Sequence, residues 1–368
     1  MPVRRLPTNP NLAHLKYQAK DLLKDHEARG QAVAQRLREF HPRFVRATDT
    51  EIFAAPLSVA DAQLTIAREY GFPSWTRLKR HIERPTLCDR LDLPHHQRIE
   101  DEVFRRAVEL VDAGDIGSLR ALLQKHPHLA QQRVVFEGGN YFRNPTLLEF
   151  VAENPIRHGR LPANIVEIAK TILDGGTSQA GRNEALMLVA TGRVPRECAV
   201  QRGLIEVLCD YGADPNTAAH PAALHGELDA LQVLLERGAR MDLPLAAALG
   251  RTEDARRLLP SASAEDRHLA LSLAADFGYV EIVRLLLDAG EDPNRYNPAG
   301  GHSHTTPLHQ AAGRGHETVV RLLIERGTRT DIRDILWQAT PADWAQHAGK
   351  LEIAALLGHP DPRRNKKD

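Results

Sequence analysis

Apolar residues recur three and four apart through most of the chain, and the runs that carry them are closed by glycine. Val319, Leu322 and Leu323 make one such stripe, which predicts a helix, and Gly327 ends it where the chain needs a left-handed residue. The same ending stands at Gly290, Gly238, Gly212 and Gly176, at intervals of 37, 52, 26 and 36. Residues 255–260 (ARRLLP) end one more helix, so the interval of 52 reads as two short units of about 26. An opening unit runs from Val103 to Leu123 with the same two-helix pattern. The pattern predicts about eight helix pairs over residues 100–358.

Residues 9–84 have helical spacing and no two-residue alternation. Asn9-Pro10 reads as a helix start, with Leu12, Leu15, Ala19 and Leu22 on one face, and a second helix carries Val33, Leu37 and Phe40. After a loop, Ser58 caps a helix over 62–70. Gly71-Phe72-Pro73-Ser74 then turns the chain into a last short helix over 75–83. Charge marks this part off: residues 1–86 hold 15 basic against 9 acidic groups, while the chain as a whole has 48 of each. The expected division is therefore a helical module at 1–86, a linker at 87–99, the helix-pair array at 100–358 and a disordered tail at 359–368.

The C-terminal units are specific enough to resemble a known family. Thr306-Pro307-Leu308-His309, followed by Ala311-Ala312, Gly315 and the Val319–Leu323 stripe, resembles the ankyrin repeat. Thr340-Pro341-Ala342-Asp343-Trp344-Ala345 repeats it 34 residues on, with Asp343 in place of histidine. Each part has a mechanical reason: Thr306 caps the first helix, Pro307 takes the first helical position, where no N–H is needed, and the paired alanines let helices approach. The resemblance implies an all-α, ankyrin-repeat solenoid in which His309 bonds backbone between neighbouring β-turn fingers. A full unit is about 33 residues, so the short units over 217–265 read as helix pairs without fingers. Residues 291–304 are an enlarged finger, and 134–145 another long connection. Missing fingers flanked by long ones predict a recess on the concave face. Residues 154–164 and 191–201 read as loops from their Pro, Gly and Arg content. The stretch LSVADAQLTIAREYGFPSWTRLKRHIE resembles a segment that precedes ankyrin arrays in bacterial proteins, which implies no activity.

Composition narrows the function. No run of about 18 apolar residues occurs, so no membrane span is expected. Cys88, Cys198 and Cys209 are too scattered for a disulfide framework, which reads as a cytoplasmic chain with reduced thiols. A net charge of zero argues against a nucleic-acid surface covering the molecule. Residues 58–84 partly match a helix-turn-helix, but Arg77 stands six after Gly71 where an apolar residue is required. Burial of Trp75, Leu78 and Ile82 in a core explains that stretch better. No Walker loop, nucleophile elbow or Rossmann fingerprint is present, so no cofactor is expected, and no spacing marks a metal site.

Two readings of the recess remain. In the first, the array recognises a protein or peptide partner, with Tyr141, Arg143, Tyr296, Asp334 and Trp337 as binding residues. In the second, it holds a small molecule, with His302 and His304 as proton carriers and Glu149 as carboxylate, because imidazole titrates near neutrality. Plainer explanations compete: polar side chains pin a glycine-rich finger, and Glu149 pairs with Arg143.

Overall fold

The computed structural model of the protein describes Arg4, Leu6, Leu93 and residues 10–83, 95–136 and 142–358. Linker residues 87–92 and 94, Cys88 among them, lie outside the described residues, as do Tyr141 and the tail 359–368. Among the described residues the regular structure is helical, with one isolated bridge between Arg133 and Thr146. The chain forms two compact units, Met1–Gly181 and Arg182–Asp368.

The first unit opens with α1 (Leu12–Glu27), α2 (Gln31–Phe40), α3 (Asp49–Ala54), α4 (Val59–Glu69) and α5 (Trp75–Glu83). The cap of α1 is Asn11, whose side chain accepts the Ala13 N–H at 2.8 Å, two residues beyond the expected Asn9. Helix α3 was not foreseen. It is too short to show a period, yet Thr48 and Glu51 form a capping box and Ile52 is buried. Leu22, Leu37, Ile52, Ile66 and Leu78 meet in one core, with Trp75 and Ile82 packed at its edge. Each buried leucine or isoleucine contributes about 1.5–3 kcal/mol. Glu69 is buried here too and accepts both prongs of Arg36, at 2.6 and 3.0 Å.

The remainder of this unit is α6 (Glu102–Ala113), α7 (Ile116–Lys125), a finger, a six-residue 3-10 turn Leu147–Ala152, and α8 (Ile165–Leu173). The finger closes through Val134 N–H to Pro145 O (3.1 Å) and Phe136 N–H to Arg143 O (2.7 Å). The rings of Phe136 and Phe142 stack across it.

After α9 (Gln179–Ala190), which runs across the division, the second unit holds α10 (Arg193–Glu197), α11 (Gln201–Asp210), α12 (Asn216–Leu224), α13 (Leu228–Glu236), α14 (Leu243–Ala248), α15 (Thr252–Leu258), α16 (Ala264–Phe277), α17 (Val280–Asp288), α18 (Pro307–Arg314), α19 (Glu317–Glu325), α20 (Pro341–His347) and α21 (Leu351–Leu356). The expected loop over 191–201 contains α10, because Pro195 falls in the first helical turn, where its missing N–H is harmless. One apolar spine joins Leu271 and Ala274 of α16, Leu308 and Ala311 of α18, and Ala342 and Ala345 of α20. Gly278 shows why the turn glycines are needed: at φ 81°, a Cβ there would stand 2.5 Å from Nδ1 of His316.

Candidate functional site

Two fingers and the first helices behind them build the site in the second unit. Thr306 caps α18, and the Thr306 N–H donates to Nδ1 of His309 at 3.2 Å. That fixes the proton on Nε2, which donates to the carbonyl of Ala339 in the next finger at 3.2 Å. Burial pushes the His309 imidazole below its ordinary range, in keeping with a neutral ring.

The first finger, 291–305, is closed by Asn297 N–H to Thr305 O at 2.8 Å. It packs against α16 and the end of α12: Ser272 Oγ donates to Gly301 O at 3.4 Å, a Cβ at Gly301 would stand 2.7 Å from Leu269, and one at Gly300 would stand 3.6 Å from Leu224. The opening lies on its other side, toward the last repeat.

The second finger, 331–339, is folded around one carboxylate. Asp334 is fully buried and accepts the backbone N–H groups of Leu336 (2.8 Å), Trp337 (2.6 Å) and Ala339 (3.0 Å) and the indole N–H of Trp344 (3.0 Å). Burial raises the pKa of this carboxyl, but the four N–H groups outweigh it and hold the group below the usual carboxylate range. The tip is left outward: Ile335, Leu336 and Trp337 are 55%, 61% and 66% exposed.

Between the fingers opens a cavity of about 820 Å³, walled by His302, His304, Arg314, Trp337, Asp343 and Trp344 among others. The wall is aromatic. His304 lies 5.4 Å from Trp337 and 6.1 Å from Trp344 by ring centroid, and the two indoles are 5.7 Å apart. Arg314 is held two-pronged by Asp276 at 2.9 and 3.2 Å. Burial pushes the His302 imidazole down; the residue lines the cavity, and its backbone is left-handed (φ 60°).

Of the residues singled out from sequence, His302, His304 and Trp337 line this cavity, and Asp334 sits beneath its aromatic wall. Tyr296 is partly exposed and donates its hydroxyl to Arg333 O at 2.6 Å. Glu149 is not among the lining residues. Its carboxylate takes the Thr146 N–H at 2.7 Å as the acceptor of a capping box, with Arg133 3.9 Å away. Arg143 supplies its carbonyl to the finger of the first unit. Trp344, Arg314 and His347 were missed, although the repeat marks their positions: Gln310 and Trp344 are equivalent, as are Gly313 and His347, and all four line the cavity.

His220 was missed as well. Thr217, His220 and Gly226 keep the spacing of Thr306, His309 and Gly315. Here the ring bonds Asp242 of the next unit at 2.7 Å, and that bond raises the imidazole pKa against the opposing effect of burial. A raised pKa means that the pair's contribution is complete below the ordinary histidine range, about 6.5, and fades as pH rises through the folded value. Unfolding midpoints of the wild type and of His220→Gln should accordingly differ most near pH 5.5 and converge toward pH 9.

The first unit has a second polar cluster, beside a cavity of about 610 Å³ lined by His96, Glu109, Asp112, His158 and Arg160 among others. Asp112, Glu153 and His158 bring donor atoms within 4.8 Å of one another, the spacing a metal would need. The cation there is already Arg157, which meets Asp112 at 2.9 Å and 3.0 Å and Glu153 at 3.4 Å. A buried guanidinium repels a divalent ion, so the cluster reads as an internal ion-pair network.

Comparison with known proteins agrees with this architecture. The profile described as ankyrin repeats (3 copies) matches residues 197–297 and 271–368. A probable E3 ubiquitin-protein ligase, XBOS31, from Oryza sativa subsp. japonica is 31% identical over 156 residues, which are 41% of this chain but span 31% of that protein. Cyclin-dependent kinase 4 inhibitor B of Bos taurus is 33% identical over 124 residues, 33% of this chain and 92% of the relative. Cyclin-dependent kinase inhibitor 2A of Homo sapiens is 33% identical over 120 residues, 31% of this chain and 74% of the relative. The capping Thr306-Pro307, the finger-bridging His309 and the closing Gly290 and Gly327 all stand within the residues that profile matches, and the chain belongs to the ankyrin-repeat family.

Proposed function

We propose that the protein binds a protein or peptide partner in the groove between the fingers 291–305 and 331–339, on the concave face formed with helices α18 and α20. The observation that carries this reading is the tip Ile335-Leu336-Trp337, more than half exposed at each residue and continuous with the aromatic cavity. Exposed apolar side chains in a row cost solvation unless a partner covers them, and large aromatic anchors dominate protein interfaces. Two relatives are by name inhibitors of cyclin-dependent kinases, which supports a protein as the partner class without naming the partner. The acid–base reading has His302 and His304 at the cavity.

The test is selection of a random peptide library on the immobilised full chain. Selected peptides should shift the indole N–H resonances of Trp337 and Trp344. Trp337→Ala should weaken them by about 30-fold, the loss of a central aromatic anchor. Peptides that bind with both indoles unmoved would place recognition elsewhere.

A further inference from the structure

One fixed negative charge stands behind the groove, whose own guanidinium, Arg314, is paired with Asp276. Asp334 carries a full negative charge at neutral pH, since its carboxyl is held below the usual range, and all its partners are neutral N–H groups of amides and an indole. No ion pair neutralises it among the described residues, in contrast to Asp276, which is matched by Arg314. One of its donors is the Trp344 indole, so the anion pulls positive charge from that ring's edge and leaves its face more negative. Trp337, whose backbone N–H meets the same carboxylate, presents an indole that is 66% exposed. Asp343 is on the same wall, its carboxylate accepting the Thr340 N–H at 2.8 Å.

Aromatic faces beside a buried anion attract a cation that is cheap to desolvate. A guanidinium meets that requirement better than an ammonium, because it is flat, stacks on indole and is weakly hydrated. Resting on the binding reading above, we propose that the groove takes an arginine side chain of the partner, stacked on Trp337 beside Trp344 and His304.

The test uses peptides selected on the full chain, each made again with citrulline in place of arginine. Citrulline keeps the shape and removes the charge. Arginine should be enriched in the selected set, and its replacement should weaken binding by roughly 2- to 30-fold, the range of a cation over an aromatic face. Trp337→Leu keeps an apolar contact but no π face and should abolish the arginine-to-citrulline difference, whereas Trp337→Phe should retain part of it. Trp337 is mostly exposed, so neither variant threatens the fold. Acetyl-arginine methylamide is the direct probe and should move the Trp337 indole resonance, while acetyl-citrulline methylamide should not.

Peptides that lose affinity in Trp337→Leu but bind equally well with citrulline overturn the arginine assignment and leave the binding groove standing. Peptides indifferent to every Trp337 variant overturn both. If no peptide is selected, an indole resonance unmoved by the arginine probe overturns the assignment.

Discussion

Replacing Asp334 with alanine is expected to lower the unfolding free energy by about 3 kcal/mol and to abolish recognition in the groove. The side chain is fully buried and is the common acceptor of four N–H groups, so its removal leaves several donors unpaired, each costing about 1–3 kcal/mol where water does not reach it. The groups nearest the surface, those of Leu336 and Trp337, recover most of this by hydration, so the loss rests mainly on the Ala339 N–H and the Trp344 indole. Asp334→Asn should fall between, because an amide offers one acceptor oxygen where the carboxylate offers two. Urea unfolding checks the order, with the midpoint moving and the slope unchanged. The same carboxyl gives a pH signature. Its pKa is lower in the folded chain than in the unfolded one, so the unfolded chain binds the proton first as pH falls. The stabilisation is therefore complete above about pH 4–5 and is lost as pH drops through the depressed folded value. The stability gap between wild type and Asp334→Asn should shrink over that acid range.

How much of this was visible in the sequence follows from how local each signal is. The Thr306–Gly327 unit was legible because capping threonine, helix-starting proline, finger-bridging histidine and closing glycine act within one repeat, and the structure uses each of them there. His302, His304 and Trp337 were legible as departures from that repeat. The seat of the 291–305 finger was not, since it depends on Leu224, Leu269 and Ser272, residues that nothing in their own segments marks as finger contacts. Trp344 was hidden for a different reason. It resembles an ordinary core aromatic until the Asp334 side chain, ten residues earlier, is seen to take its indole N–H. At the histidine position Glu149, His309 and Asp343 each complete a capping box, so a carboxylate there has a structural use that the sequence pattern alone does not announce.

The other large effect belongs to Arg157. Its side chain is 2% exposed and holds Asp112 with two nitrogens, Glu153 with a third and the carbonyl of Phe150 at 2.9 Å, while the guanidinium lies 5.0 Å from the Phe150 ring centroid. Glu153 is itself 1% exposed and accepts the backbone N–H groups of Arg157 and His158, at 2.6 and 3.2 Å, so the carboxylate shapes the turn that carries its own counter-ion. Arg157→Ala strands this carboxylate in the interior beside Asp112, and the expected loss is about 3–5 kcal/mol, the penalty for an uncompensated buried charge. Arg157→Lys should recover little, since an ammonium cannot reach both acids and the carbonyl with fixed prongs. The double variant Arg157→Met with Glu153→Gln should be more stable than Arg157→Ala, because it removes one of the stranded charges with the guanidinium. That ordering, read from urea midpoints, separates an electrostatic cause from simple loss of side-chain volume, which would leave the double variant no better than the single one.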